Sequence, residues 1–296
     1  MAPRAGGRGN VDLRRGVGQR VSARLAVVER AADALIRHGS PSEERIHRFH
    51  SELRRLRVES RVWRSGLSPA QVELLTGLDR RLAELARRVG EVRDADVHLN
   101  LLGKVGRPDE PDRTRRHREE LYRRLQDDAR IGRELLRAYL RAEIEAGVFA
   151  ELRGTLAREG SNERRPLSTG RVRDEVARVS ERLERATRRA ARRPSVKRAH
   201  RLRILLRRAR YLLEFLATVP GADPPRYPGR LVRLQRTLGR VHDLDLLEDW
   251  VDGLAPELKG SPWARELRAT HRASRRQLRS ELGRGSIRSA VRALGV

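Results

Sequence analysis

Apolar residues recur along this chain in steps of three and four. Val17, Val21, Leu25, Val28, Ala32 and Leu35 line one face of a helix that His38-Gly39-Ser40-Pro41 should stop. After Ser42, a second helix is predicted to about Ser65, with Glu43 and Glu44 at the positive end of its dipole. A third follows Ser68-Pro69, turns Leu74, Leu78, Leu82, Leu85 and Val89 inward, and ends at a Gly90 C-cap. A long helix from about Thr114 to Gly147 carries Leu121, Leu125, Ile131, Leu135 and Leu136. The same order then returns: a helix over about 172–191, one from Pro194-Ser195 to Val219, one over about 230–238, and a last one over about 261–282. Alternating Val, Ile and Thr, the mark of strands, is absent. The pattern predicts an all-α fold of four helices per half, that is, two four-helix bundles. Residues 1–16 read as a disordered basic tail, 17–160 as the first bundle and 161–296 as the second, the two together forming one domain. Turn-forming stretches at 103–112 and 154–170 supply the linker and the connection between halves.

One helix carries a second pattern beside its apolar stripe. At roughly 100° per residue, HRLRILLRRAR places His200, Arg203, Arg207 and Arg210 on one arc about 80° wide. Ala199, Leu202, Leu206, Ala209, Leu213 and Leu216 fill the adjoining arc. Arg208 projects away from the cationic stripe. A shift of about 153 residues lays the earlier stretch HRFHSELRRLR on the same frame. His47, His50, Arg54 and Arg57 then match the four stripe residues, and Ile46, Phe49, Leu53 and Leu56 match the buried ones, with Arg55 projecting away like Arg208. Two copies of one surface imply an internal duplication.

Composition points to the partner. Lys+Arg number 67 against 40 Asp+Glu, for a net charge of +27. Only Lys104, Lys197 and Lys259 are lysines, and the planar fork of arginine suits phosphate oxygens bidentately. With 38% apolar and 3% aromatic residues, the core must be built of Leu, Val and Ala. The absence of cysteine excludes disulfides, thiol catalysis and iron–sulfur clusters, and agrees with a cytoplasmic protein. No apolar run approaches 18 residues, so no membrane partner is expected, and no secretory signal is read at the N-terminus.

A second element also occurs twice. GEVRDADV (Gly90 to Val97) and GRVHDLDL (Gly239 to Leu246) share Gly, two residues, a cationic residue (Arg93 or His242), Asp, any residue and Asp. Gly can end one helix and Asp cap the next. Alternatively, the Asp residues pair with arginines of the stripe and fix their rotamers.

Together these motifs resemble the CHAD family, the conserved-histidine α-helical domain. The second half fits nearly throughout: His200, Arg203, Ile204, Arg207, Arg208 and Arg210, then Leu238-Gly239 and the pair Asp243 and Asp245. In the first half His47, Arg54, Arg55, Leu56 and Arg57 fit, as does the run from Arg93 to Val97, whereas His50-Ser51 replaces Arg-Val and Val89 replaces Leu. The resemblance implies two four-helix bundles related by an internal pseudo-twofold axis. It further implies a basic central pore or groove that binds inorganic polyphosphate without catalysis or cofactor, in a protein associated with polyphosphate granules. The triphosphate-tunnel motif E-x-E-x-K that accompanies some members is absent, the nearest string being EIEAG at Glu143. The ligand-binding residues expected here are His47, His50, Arg54, Arg57, Arg93, His200, Arg203, Arg207, Arg210 and His242, with Arg81, Arg88, Arg230 and Arg233 widening the lining. A linear phosphate polymer has no bases to stack, which agrees with so few aromatic residues.

Two other chemistries were weighed. His242-Asp243 has the form of a metal phosphohydrolase doublet, and His98 with Asp94 and Asp96 gives a conceivable metal site, but the doublet is Arg-Asp in the first half and no further cluster supplies ligands. Nucleic acid would bind only non-specifically, since no recognition helix, zinc finger or RRM signature is present.

Overall fold

The computed structural model describes residues 14–37, 41–64, 69–103, 112–160, 169–254, 260 and 262–294. Within them the chain is all-helical: α1 (Arg14–Arg37), α2 (Glu43–Arg64), α3 (Pro69–Leu102), α4 (Asp112–Glu145), α5 (Val148–Gly160), α6 (Thr169–Arg192), α7 (Val196–Leu216), α8 (Gly229–Leu254), α9 (Pro262–Gly283) and α10 (Gly285–Arg292). The predicted basic tail lies outside the described residues up to position 13, and Arg14–Gly16 already belong to α1. The stop at 38–40, most of the 103–112 linker and residues 161–168 of the connection lie outside them too.

The stripes legible in the sequence are the ones that are buried. Every apolar position named for α1 is covered, as are Ile46, Phe49, Leu53 and Leu56 on α2 and Leu202, Leu206 and Ala209 on α7. Two registers differ. On α4 the covered residues are Leu121, Leu125, Ala129, Leu136 and Leu140, which puts Ile131 and Leu135 on the solvent side at 46% and 64% exposure. At 100° per residue Ile131 falls about 80° and Leu135 about 40° beyond the edge of that stripe at Leu121, which leaves both on the solvent side. On α3, Leu75 is buried and Leu74 is exposed.

The larger correction concerns the repeated Gly-x-x-[Arg/His]-Asp-x-Asp motif. Gly90 and Gly239 do not end helices, because α3 and α8 run straight through them for 34 and 26 residues. Neither glycine is left-handed; among the described glycines only Gly147 and Gly221 have positive φ. The Asp residues that follow are therefore mid-helix residues and cap nothing. A mid-helix glycine costs about 1 kcal/mol relative to alanine, and close approach explains one of the two. A Cβ on Gly90 would stand 3.3 Å from Cε1 of His50 on α2.

Five described helices lie in each half, one more than predicted, because α5 and α10 add a short closing helix. Packing repeats pair by pair: α1 with α2, α2 with α3 and α3 with α4, then α6 with α7, α7 with α8 and α8 with α9. The closing helix α5 returns onto α1 and α3, and α10 onto α6 and α8. Between the halves, α2 meets α7 and α3 meets α8. One apolar core runs from Val17 to Leu294 through both halves. A smaller one joins Leu102 and Leu121 to Leu244, Leu247, Trp263 and Leu267. Among the described residues no helix is long and apolar enough to cross a membrane.

Candidate functional site

The two striped helices begin alike. Ser42 Oγ accepts from the Arg45 amide at 3.4 Å and Ser195 Oγ from the Arg198 amide at 3.3 Å, so each repeat opens on the same serine cap. The apolar stripe then fixes the rotation of each helix, and where α2 meets α7 the cationic stripes converge. They enclose a cavity of about 330 Å³. Its lining is His47, His50, Ser51, Arg54 and Arg55 from α2, Arg93 from α3, Arg203, Arg207, Arg210 and Tyr211 from α7, and Gln235 and Gly239 from α8. No atom stands within 4 Å of where a Cβ on Gly239 would be, so this glycine leaves the floor of the cavity open.

The arginines at its centre are held under electrostatic load. Burial, reinforced by Arg207, lowers the pKa of Arg54 to about 9, and burial with Arg203 lowers that of Arg207 to about 10. Arg203 is lowered by burial as well, against the pull of Asp243 and Asp94. All three stay protonated at neutral pH, yet among the described residues none of them is ion-paired. Nε of Arg203 is buried with no hydrogen-bond partner among the described residues. Like charges crowded in a half-dry space oppose folding, and a bound polyanion would offset that cost.

The histidines add no charge. Burial, then Arg54, Arg93 and Arg207, push His50 down to about 2, and both its ring nitrogens are buried without a partner among the described residues. Burial and Arg203 take His242 to about 3, and His47 and His200 are lowered too, chiefly by burial. Neutral His47 accepts at Nδ1 from Nε of Arg93 at 3.1 Å, which orients that guanidinium. His200 and His242 pack ring against ring, centroids 4.9 Å apart, outside the cavity lining.

The two Asp residues of each motif divide the work. Asp94 and Asp243 remain beside the cationic cluster, and burial raises the pKa of both. Asp96 and Asp245 face the other way. Asp96 pairs with Arg133 of α4, and Asp245 accepts from His271 at 2.7 Å and from Arg275 at 2.6 Å, both on α9. Each second Asp thus ties its helix to the one that follows, so the expected pairing of these residues with the stripe holds for neither.

Of the residues expected from the sequence, His47, His50, Arg54, Arg93, Arg203, Arg207 and Arg210 line the cavity. Arg57 does not: its Nε donates to Asp79 at 2.9 Å, a carboxylate it shares with Arg61. Arg81 clamps Glu143 and Glu151, both at 3.1 Å, and Arg88 sits over the Tyr139 ring while pairing with Glu84. Arg230 and Arg233 are exposed on α8 away from the lining. Sequence reasoning missed Arg55. It lines the cavity, with its guanidinium 5.0 Å from the Tyr211 ring centre and paired to Glu52, whereas Arg208 turns away to Glu175 as expected. The family motif includes Arg55, but helical spacing turned it away from the stripe, and spacing says nothing of how far the side chain bends back toward Tyr211. Among the described residues no group of three or more His, Asp or Glu could hold a metal ion.

Comparison with known proteins agrees with this architecture. The family model described as CHAD domain matches residues 19–252. The chain is similar to the crystal structure of the CHAD domain from the plant Ricinus communis, with a TM-score of 0.67 and 20% identity over 99% of this chain and 96% of that one. It is also similar to PptA from Streptomyces chartreusis, with a TM-score of 0.60 and 17% identity over 94% of this chain and 96% of that one. No curated protein matches the sequence.

Proposed function

The chain belongs to the CHAD family, and we propose that it binds inorganic polyphosphate in the recess between α2 and α7 without catalysing a reaction on it. One observation carries this reading: Arg54, Arg203 and Arg207 converge from the two halves as half-buried guanidiniums with no ion pair among the described residues, Asp94 and Asp243 standing beside the cluster without pairing to them. A chain with about one negative charge per phosphate supplies what they lack, and bidentate guanidinium–phosphate bonds supply the directionality. Tyr211 is the one Phe, Tyr or Trp ring of the lining, and Arg55 already covers it, so no broad platform for stacking a base is offered.

We further read the halves as two bundles, α1–α4 and α6–α9, related by a pseudo-twofold axis. The repeated helix pairings, the matching serine caps and the meetings of α2 with α7 and α3 with α8 support that relation. Binding of this kind would hold the protein at polyphosphate granules.

The test is anisotropy of end-labelled long-chain polyphosphate at several salt concentrations. Arg54→Ala/Arg203→Ala/Arg207→Ala should keep its helicity by circular dichroism and lose at least about a hundredfold in affinity, since three charge-assisted contacts go. Unchanged affinity in the folded variant would move the site elsewhere. Displacement by duplex DNA at equal phosphate concentration would reduce the reading to general polyanion binding. Release of phosphate with a divalent metal present, abolished in Asp243→Ala, would make the protein an enzyme.

A further inference from the structure

The outer face of α7 bears a second cationic surface. Lys197, Arg198 and Arg201 on α7 and Arg182, Arg185 and Arg189 on α6 line a groove of about 720 Å³. Arg185 and Arg189 continue it into a shallower hollow completed by Arg188 and Arg192. By helical geometry, Arg198 and Arg201 point about 150° away from the stripe of Arg203, Arg207 and Arg210, and Lys197 about 115°. The groove and the central recess therefore occupy opposite sides of one helix.

Chain-wide arginine richness does not account for this groove. Arg185 reaches Glu181 at 3.3 Å, while among the described residues Arg182, Arg189, Lys197 and Arg201 have no ion pair. Apart from Glu181, two acids of α6 turn elsewhere, Glu184 to Arg292 at 3.1 Å and Glu175 to Arg178 and Arg208. The duplicated surface of the first half is different. The 153-residue shift aligns Lys197 with Glu44 and Leu205 with Glu52. Glu52 takes up Arg24 and Arg55, and on α1 Glu29 takes up Arg153. Arg45 and Arg48 match Arg198 and Arg201, but carboxylates interrupt this copy of the face, whereas the other has cations on both walls. No aromatic side chain lines it, which removes the stacking that single-stranded nucleic acid would use.

We infer that the α6–α7 groove is a second binding site for a linear inorganic phosphate polymer, which makes the protein a bridge between two polyphosphate segments. The inference rests on the polyphosphate reading of the recess. Because the two sites face away from each other across α7, one straight segment cannot lie in both. The recess holds one segment and the groove a second, either from another chain or from a distant part of the same one.

The test is a sandwich. Long-chain polyphosphate is immobilised by one end, the full protein is bound and washed, and a second, end-labelled long chain is added. The outer variant is Arg182→Ser/Arg189→Ser/Arg201→Ser, the inner variant Arg54→Ala/Arg207→Ala, and the charge control Arg265→Ser/Arg272→Ser/Arg276→Ser on the exposed side of α9. The outer variant should bind the first layer within about threefold of the wild type and capture at least about fivefold less label, while the control captures as the wild type does. Capture by the outer variant equal to wild type overturns the second site, as does equal loss in the charge control. If the inner variant no longer reaches the first layer at all, the groove has no affinity of its own and the second site falls while the recess stands. If the inner variant binds the first layer like wild type and only the outer variant loses binding, the recess falls and the groove stands. A wild-type protein that binds neither layer overturns both.

Discussion

Helices α2 and α7 are two versions of one surface, and α7 keeps more of it. At matched positions α7 presents Arg203 and Arg207 to the recess and α2 a neutral His50 and a charged Arg54, while the last arginine of each stripe is paired, Arg210 to Glu214 at 2.6 Å and Arg57 to Asp79 at 2.9 Å. Both helices have the same cap, apolar stripe and spacing, so the divergence comes from what faces them. Asp79 on α3 reaches back to take up Arg57, and position 50 itself carries a buried imidazole, packed against Gly90, where a guanidinium stands in the other half. Spacing sets the direction of a side chain. A neighbouring helix decides whether its charge is available.

The largest effect should come from treating the halves unequally. In polyphosphate titrations at fixed salt, Arg203→Ala/Arg207→Ala should cost about a hundredfold in affinity, and the first-half pair Arg54→Ala/Arg57→Ala about tenfold, because Arg57 is spent on Asp79. Equal losses would mean that Arg57 leaves Asp79 to reach the ligand, and the asymmetry would vanish. Next, replacing a buried, unpaired guanidinium by an apolar chain of similar length should stabilise the free protein. Arg207→Met should raise Tm by a few degrees, about 2–4 °C per kcal/mol gained, and reduce the rise in Tm that polyphosphate produces in the wild type. A lower Tm in the free variant would show that Arg207 is structurally satisfied.

Smaller changes follow from protonation. Since the pKa values of His47, His50, His200 and His242 all lie below the usual imidazole value, affinity should change less than about twofold from pH 8 to pH 6. A steep gain across that range would give the first half the charge it lacks and erase its difference from the second. Affinity should climb only in acid, where Asp94 and Asp243, raised by burial, lose their negative charge.

The smallest effect separates the two clamps behind the site. Asp96 holds Arg133, while Asp245 holds both Arg275 and His271. Burial opposes the charge on His271, but hydrogen bonds to Asp245 and Glu248 outweigh it and bring the pKa to about 9. A raised pKa means that this charge stabilises the fold fully below pH 6.5 and that its contribution is lost as pH rises through about 9. Denaturant melts from pH 6 to 10 should show that decline in wild type and a flatter profile in His271→Gln, while Asp96→Asn, which has no histidine partner, should retain the slope. An unchanged slope in His271→Gln would place the titrating group elsewhere.

Much of this was legible beforehand, because a 3.6-residue period and a 153-residue echo are local properties of the chain. The buried stripes of α1, α2 and α7, the all-helical class and six of the recess residues follow from them, and the second repeated motif adds Arg93. The errors share one cause. Gly90 and Gly239 look like helix ends because glycine usually is one, but burial of the flanking Val89 and Val92, and of Leu238 and Val241, carries each helix across the glycine. Arg81 and Arg88 are taken up by Glu143, Glu151, Glu84 and Tyr139, partners dozens of residues away in three of these four cases.

The sequence by itself determined which residues would form helices, which face of each would be buried, and that two copies of a cationic ridge exist. Only the tertiary structure decided which of those cations remain unpaired. Pairing depends on the reach of carboxylates held on other helices, and no period within one helix encodes that distance.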